Sequence, residues 1–275
     1  MKMKFLTAAA VFSVMLYSCK KDTASSNSTA SVPQSVLNEL TAKGFSTDGV
    51  QAVDGGYVVE GDLFFTAESL SSVKVGPNLV VGQEEQYRTT NLITGLPKVI
   101  KICNSYPTLL PLFNAATDTV IARYNALGLR LTFQRVSTAA SADINIIGAD
   151  LGGGGVLGRS SGFPSADGKP ASPITLNSRK GTFTKTTDVQ WLATVIAHEV
   201  GHTIGMRHTD YANRKYSCGI RLPGNNEGDA GVGAIFIPGT NSSYADPGSW
   251  MLACTDGTNR PFNPNDVIAL NYLYH

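Results

Sequence analysis

Hydrophobic residues recur at three- and four-residue steps in two stretches of the chain, and this spacing predicts two long amphipathic helices. The first stretch ends at Gly128 and carries Leu109, Phe113, Ala116, Val120, Tyr124 and Leu127. The second covers roughly residues 186–204 and carries Val189, Leu192, Ala193, Val195, Ile196 and Val200. A polar group at 263–266 predicts the start of a final helix with Val267, Leu270 and Leu273.

Short apolar or alternating runs predict strands between these helices. They are Lys98 to Cys103, Leu129 to Phe133, Asp143 to Ile147 and Ile174 to Asn177. Residues 156–163 are predicted to form the lower edge strand of the sheet, and an extended peptide could pair with such an edge. Nearer the N-terminus, residues 36–40 predict a short helix and residues 56–65 predict a strand, a turn and a second strand.

The length and composition indicate one sizeable domain with an appendage. The chain has 275 residues, of which 42% are hydrophobic and 16% charged, as in ordinary globular proteins. The formal net charge is +1 and no basic block occurs, which argues against nucleic acid as a partner. We predict a small pro-like segment at 33–95 and a larger domain at 96–275.

The N-terminus has the pattern of an export signal. Lys2 and Lys4 precede an apolar stretch at 5–16, which is too short to span a bilayer as a helix. The stretch then runs into Cys19 in a pattern resembling a bacterial lipobox, which predicts a signal peptide at 1–18 and a lipid on the Cys19 sulfur. Residues 19–32 are rich in Ser and Thr and predict a flexible tether. We therefore expect an exported lipoprotein at the outer membrane or cell surface, with simple secretion as the alternative.

Three of the four histidines of the chain lie in one stretch with the pattern H-E-x-x-H-x-x-G-x-x-H. On a helix, His198 and His202 lie four residues apart and can direct two imidazoles at one metal ion. Gly205 can adopt a positive φ, end the helix and turn the chain, so that His208 returns as a third ligand. Glu199 lies beside this group, where a carboxylate can hold a metal-bound water. The pattern predicts a zinc site.

Three protein ligands leave a fourth zinc position for water, which is typical of a catalytic site rather than a structural one. A structural zinc would need a fourth protein ligand, and Asp210 is the nearest candidate. Downstream, Met251 follows Pro247-Gly248-Ser249-Trp250 and is a candidate for the methionine of a Met-turn, an apolar floor beneath the metal.

The remaining cysteines suggest one disulfide. With Cys19 acylated, three are left, and an exported protein meets an oxidising compartment. Cys218 and Cys254 both follow the zinc motif and flank the Met-turn region, so we predict that they pair. Cys103 is then a buried thiol in a strand.

With these motifs in this order, the chain resembles a metzincin, and within that clan it is most similar to the bacterial dual-action HEIGH metallopeptidases, with Val200 where their motif has isoleucine. The resemblance implies an α+β fold. Its upper lobe would hold a twisted mixed sheet and two long helices, and its loop-rich lower lobe the Met-turn and a C-terminal helix. It also implies bound Zn²⁺, a protein or peptide substrate in the cleft between the lobes, and a monomer.

A second resemblance concerns the N-terminal segment. Residues 59–62, Val-Glu-Gly-Asp, are similar to the pro-segment motif with which astacin-type metzincins place an aspartate on the zinc. On this hypothesis Asp62 is a latency switch. The alternative is an acidic turn between two strands.

These features together predict a secreted or surface-anchored zinc endopeptidase in which Glu199 is the general base. The alternative is a surface lipoprotein that uses a metzincin-like fold for binding or adhesion with little catalysis. Glu199 argues against the alternative, because a binding module has no use for a general base beside an open zinc position.

Overall fold

The structure is a computed structural model that describes residues 31–73, 86–106, 108–183, 188–219, 227, 234–240 and 246–275. The predicted signal peptide, the lipidation of Cys19 and most of the predicted tether at 19–32 lie outside these ranges. No helix within them combines the length and apolar character needed to cross a bilayer.

The helices of the described residues are α1 (Gln34–Ala42), α2 (Ala67–Ser72), α3 (Leu110–Asn125), α4 (Val189–Thr203), α5 (Lys215–Cys218) and α6 (Pro264–Tyr274). The strands are β1 (Gln51–Val53), β2 (Gly56–Val59), β3 (Leu63–Phe65), β4 (Tyr87–Arg88), β5 (Lys98–Asn104), β6 (Leu131–Val136), β7 (Ile144–Ala149), β8 (Gly158–Ser160), β9 (Ile174–Asn177) and β10 (Ile235–Phe236). The predicted α+β class is confirmed.

One mixed sheet of eight strands has the order β1-β2-β3-β8-β9-β7-β5-β6. Strands β6, β5, β7 and β9 are parallel, whereas β8 runs antiparallel to β9. The alternating apolar and polar residues of β5 point to opposite faces of the sheet, so Ile100 and Ile102 are buried and Lys101 between them is exposed. A separate pair of short strands, β4 and β10, lies beside the main sheet.

The prediction that residues 156–163 form the edge of the sheet is wrong. Strand β8 is internal, because β3 of the N-terminal segment pairs with it in parallel, with Leu63 opposite Ser160. The amide of Ser160 also donates to the carbonyl of Asp62 at 3.0 Å. Strands β2 and β1 follow β3 through antiparallel pairing, so the segment extends the sheet by three strands.

Helices α3 and α4 pack against each other beneath the sheet and carry much of the larger core. Asp188 caps α4 by accepting from the amides of Gln190 and Trp191, which fixes where that helix begins. The Tyr124 hydroxyl of α3 donates to the carbonyl of Ala197 in α4 at 3.1 Å. Nearly every residue of α4 from Leu192 onward is buried, so its polar residues need partners inside the protein.

The N-terminal segment has a smaller hydrophobic cluster of its own, formed by Leu40, Phe45, Val59, Leu63, Phe65, Leu70 and Phe163. Phe163 comes from the larger domain and its ring lies 6.1 Å from the ring of Phe45. The segment is therefore joined to the domain by apolar packing as well as by strand pairing.

A disulfide joins Cys218 at the end of α5 to Cys254 after the Met-turn region, 36 residues later. Cys103 is a buried free thiol in β5. The disulfide closes a loop of 36 residues and so restricts the unfolded chain.

We expect the Cys218→Ser, Cys254→Ser double variant to lose about 3–4 kcal/mol of unfolding free energy, because the loop would no longer restrict the unfolded chain. Chemical denaturation of oxidised wild type and variant measures the difference. A loss below about 1 kcal/mol would show that the loop is held by other contacts, and Cys103→Ser is the matched control.

Candidate metal centre

Helix α4 and the turn after it bring the three predicted histidines together. His198 and His202 lie one turn apart on α4, and Gly205 has a φ of 105°, which ends the helix and reverses the chain. His208 returns to the same point. The three Nε2 atoms are 3.2 Å from one another in each pairing.

The Nδ1 atom of each imidazole contacts an oxygen that orients the ring. The Nδ1 atom of His198 lies 2.9 Å from the carbonyl of Trp250, and that of His202 lies 3.0 Å from the carbonyl of Met206. His208 Nδ1 contacts the Glu227 carboxylate. Because all three partners are acceptors, the Nδ1 atoms carry the protons and the three Nε2 lone pairs face the common centre.

These residues fit a zinc ion. Zinc–nitrogen bonds of about 2.0–2.1 Å at tetrahedral angles would set the nitrogens about 3.3 Å apart, close to the observed spacing. Converging lone pairs repel one another unless a cation lies between them. This cluster has the donor set for such an ion.

Asp62 adds a carboxylate oxygen to the three nitrogens of the cluster. Its Oδ2 atom lies 2.8 Å from His208 Nε2, 3.7 Å from His198 Nε2 and 3.9 Å from His202 Nε2. Burial alone would raise the pKa of Asp62, but the nearby histidines lower it well below its ordinary value. The structure thus brings Asp62 to the histidines, at the place where a tetrahedral site has its remaining position.

Asp62 and Glu227 both raise the pKa of His208. Burial alone would lower the pKa of His208, but the two carboxylates raise it well above its ordinary value. For His202, burial is the largest effect and lowers the pKa, and the neighbouring His208 lowers it further. A cation at the centre, whether a proton or a metal ion, offsets the charge of these carboxylates.

Glu199 is buried beside the histidines, with 3% of its surface exposed. Its Oε1 atom lies so close to β8 that a Cβ on Gly158 would meet it at 2.8 Å. Oε2 has no hydrogen-bond partner among the described residues. Burial, and next the negative charge of Asp62, raise the pKa of Glu199 well above its ordinary value.

Trp250 and Met251 pack against α4 beside the histidines, and the assignment of Met251 to a Met-turn stays a prediction. The Trp250 indole donates to the carbonyl of Ala197 at 3.1 Å, and Met251 is fully buried. A Cβ on Gly201, between His198 and His202, would lie 2.5 Å from Met251 Sδ. Glycine at this position is therefore what permits the turn to approach the helix.

Asp210, the residue considered from the sequence as a fourth ligand of a structural zinc, is placed elsewhere. Its Oδ1 accepts from the amide of Ala253 at 2.9 Å, and its Oδ2 accepts from the Ser217 hydroxyl at 2.6 Å. It braces the chain beside the disulfide and is not part of the metal-ligand cluster found in the described residues.

Sequence reasoning missed three charged residues at this site. Glu227 contacts His208, and Arg207 contacts both Glu227, at 2.9 Å, and Glu60. The sequence could have indicated Arg207 and Glu60, because Arg207 lies within the histidine motif and Glu60 within residues 59–62. Nothing in the sequence indicated Glu227, because it lies in a glycine-rich stretch with no periodicity.

A family model described as dual-action HEIGH metallo-peptidase matches residues 57–274. The chain is also similar to two solved structures. "Structure of myroilysin" is 16% identical, with a TM-score of 0.42, and the match covers 68% of this chain and 98% of that one. "Crystal structure of myroilysin" is 13% identical, with a TM-score of 0.38, covering 74% and 98%. No curated protein matches the chain.

We expect Gly201→Ala to weaken zinc binding about tenfold, since its Cβ would displace Met251 and, with it, the Trp250 carbonyl that orients His198. Competition with a chromogenic chelator measures the affinity. Gly154→Ala is the matched control, because a Cβ there meets nothing within 4 Å. Equal zinc affinity in Gly201→Ala and wild type would contradict a supporting role for the Met-turn.

Proposed function

The chain belongs to the dual-action HEIGH metallo-peptidase family and is a zinc metallopeptidase, and from this premise we propose that it is an endopeptidase with Glu199 as general base. The observation that carries the proposal is a buried carboxylate beside three converging imidazoles. His198, His202 and His208 would hold the zinc. The proposed substrates are proteins or peptides, and the proposed state is a monomer.

When bound, zinc lowers the pKa of a water molecule and polarises the scissile carbonyl. Glu199 accepts the proton of the attacking water, and we assign this step to Oε2, which has no hydrogen-bond partner among the residues that the structure describes. The same carboxyl group then delivers the proton to the leaving amine. The raised pKa of Glu199 suits it to carry this proton between the two steps, although removal of Asp62 would reduce the rise.

The N-terminal segment blocks this chemistry in two ways under the same proposal. Asp62 takes the ligand position that the water needs. Strand β3 pairs with β8, the strand with which we expected an extended substrate to pair. The uncleaved chain is therefore latent, and substrate binds β8 after β3 has left it.

Two further contacts favour a segment that docks specifically. The buried Glu60 carboxylate pairs with Arg207, which is fully buried. The Arg207 guanidinium also lies 5.4 Å from the ring centroid of Phe45 in the segment. Glu60 and Asp62 come from one turn, so a single insertion would place both carboxylates.

We further propose export as a lipoprotein anchored through Cys19. The support is the sequence pattern of residues 1–19 together with the Cys218–Cys254 disulfide, since disulfides persist in oxidising compartments. Secretion without an anchor is the alternative, and mass spectrometry of the mature N-terminus distinguishes the two.

Replacing Asp62 with Ala is expected to raise the peptidase activity of the uncleaved chain roughly tenfold or more, equivalent to about 1.4 kcal/mol, because the fourth position is freed. A fluorogenic peptide assay on zinc-loaded protein measures this. Asp54→Ala, an exposed carboxylate in the same segment, should leave the rate unchanged. Unchanged activity in Asp62→Ala would reject Asp62 as the latency switch.

In the Asp62→Ala protein, a further Glu199→Ala change should keep zinc affinity and lower the cleavage rate by about 10²–10⁴-fold, because proton transfer is lost. We would incubate both proteins, beginning at residue 20, with a peptide library and identify products by mass spectrometry. Internal cuts by the parent alone would establish the endopeptidase. No cleavage by either protein would fit either a chain still blocked by β3 or the binding or adhesion alternative, and the same assay on protein beginning at residue 96 separates these two. Full activity without Glu199 would exclude it as the base.

A further inference from the structure

The three histidines differ in what orients them. His198 and His202 each direct Nδ1 at a neutral backbone carbonyl, whereas His208 directs Nδ1 at the carboxylate of Glu227. His208 is also the one that does not belong to α4. It lies beyond Gly205, in a part of the chain where no helix fixes its side chain.

Glu227 is itself held firmly for a residue outside any helix or strand. Its amide donates to the carbonyl of Tyr211 at 2.8 Å, and its Oε2 accepts from Arg207 Nη2 at 2.9 Å. Its Oε1 lies 3.8 Å from Arg214 Nε. Only 1% of its surface is exposed, so water cannot substitute for these partners.

The neighbours of Glu227 make it an acceptor for His208. Its Oε2 accepts from Arg207 and its Oε1 contacts His208 Nδ1, with Arg214 on the same side of the carboxylate. Both arginines can only donate, so they hold this carboxyl group with its oxygens available as acceptors. A carboxylate partner keeps the proton on Nδ1 and makes the opposite nitrogen a stronger metal ligand.

We propose that Glu227 is a positioning residue for the third metal ligand, His208, and that Arg207 in turn holds Glu227. Glu227 fixes the ring orientation and the Nδ1–H tautomer of His208, so that its Nε2 lone pair faces the metal. The inference rests on the proposal that His208 is a ligand. It assigns to Glu227 no contact with substrate or metal.

Zinc affinity of the full chain is the first measurement, by competition with a chromogenic chelator. We expect Glu227→Ala to bind zinc about 10–100-fold more weakly than wild type. The isosteric Glu227→Gln keeps an acceptor for Nδ1 but loses the charge, so a smaller loss is expected. Glu60→Gln is the matched control, since it removes the other carboxylate on Arg207 without touching His208, and its zinc affinity should stay within about threefold of wild type.

A second measurement distinguishes a change in the orientation of His208 from a general loss of structure. In the cobalt-substituted protein, each ligand histidine gives an exchangeable, paramagnetically shifted Nδ1–H proton signal. We expect Glu227→Ala to lose the His208 signal to solvent exchange while the other two persist. Glu227→Gln should retain it, because its side-chain oxygen still accepts that proton. Should Glu227→Ala fail to fold, the Glu227→Gln affinity decides.

The inference is overturned if both Glu227 variants bind zinc within twofold of wild type and Glu227→Ala keeps all three proton signals. Failure of the underlying site would look different. In that case wild type itself would show no histidine proton signals with cobalt, and His208→Ala would leave the metal affinity unchanged.

Discussion

The three Nε2 atoms lie 3.2 Å apart in a pocket nearly closed to solvent, so their lone pairs repel one another unless a cation occupies the centre. The surrounding structure holds the imidazoles in this unfavourable arrangement. Helix α4 sets the spacing of two, and Gly205 turns the chain to return the third. Backbone carbonyls and the Glu227 carboxylate then fix the ring orientations.

A second constraint is the charge buried next to this centre. Arg207 is fully buried, and removing one partner of a buried ion pair is far more destabilising than the pair is stabilising. Glu60 from the segment and Glu227 from the domain share its guanidinium. Departure of the segment would therefore leave Arg207 with Glu227, which in turn contacts His208. Arg207 thus contacts one carboxylate from the segment and one from the larger domain.

The sequence predicted the structural features that depend on the spacing of residues close together in the chain. The helix at α4, the turn at Gly205 and the convergence of three histidines all follow from residues 189–208, which are close together in the sequence. Asp62 was found only through a short motif resemblance, and its distance from the histidines needed the structure. Sequence could not show that β3 covers β8, because pairing between residues about a hundred positions apart leaves no periodic signal in either strand. Glu227 likewise contacts His208 only in the folded chain, and the residues beside it in the sequence give no indication of that contact.

The pairing of β3 with β8 also bears on how the protein behaves outside its own reaction. A strand that loses a neighbour presents unpaired amide and carbonyl groups, and such an edge recruits other chains. Strand β8 is only three residues long, Gly158–Ser160, which limits how much foreign chain it can hold. Because β3 and β9 both pair with it, β8 has no free edge, and its three residues would offer another chain few unpaired backbone groups.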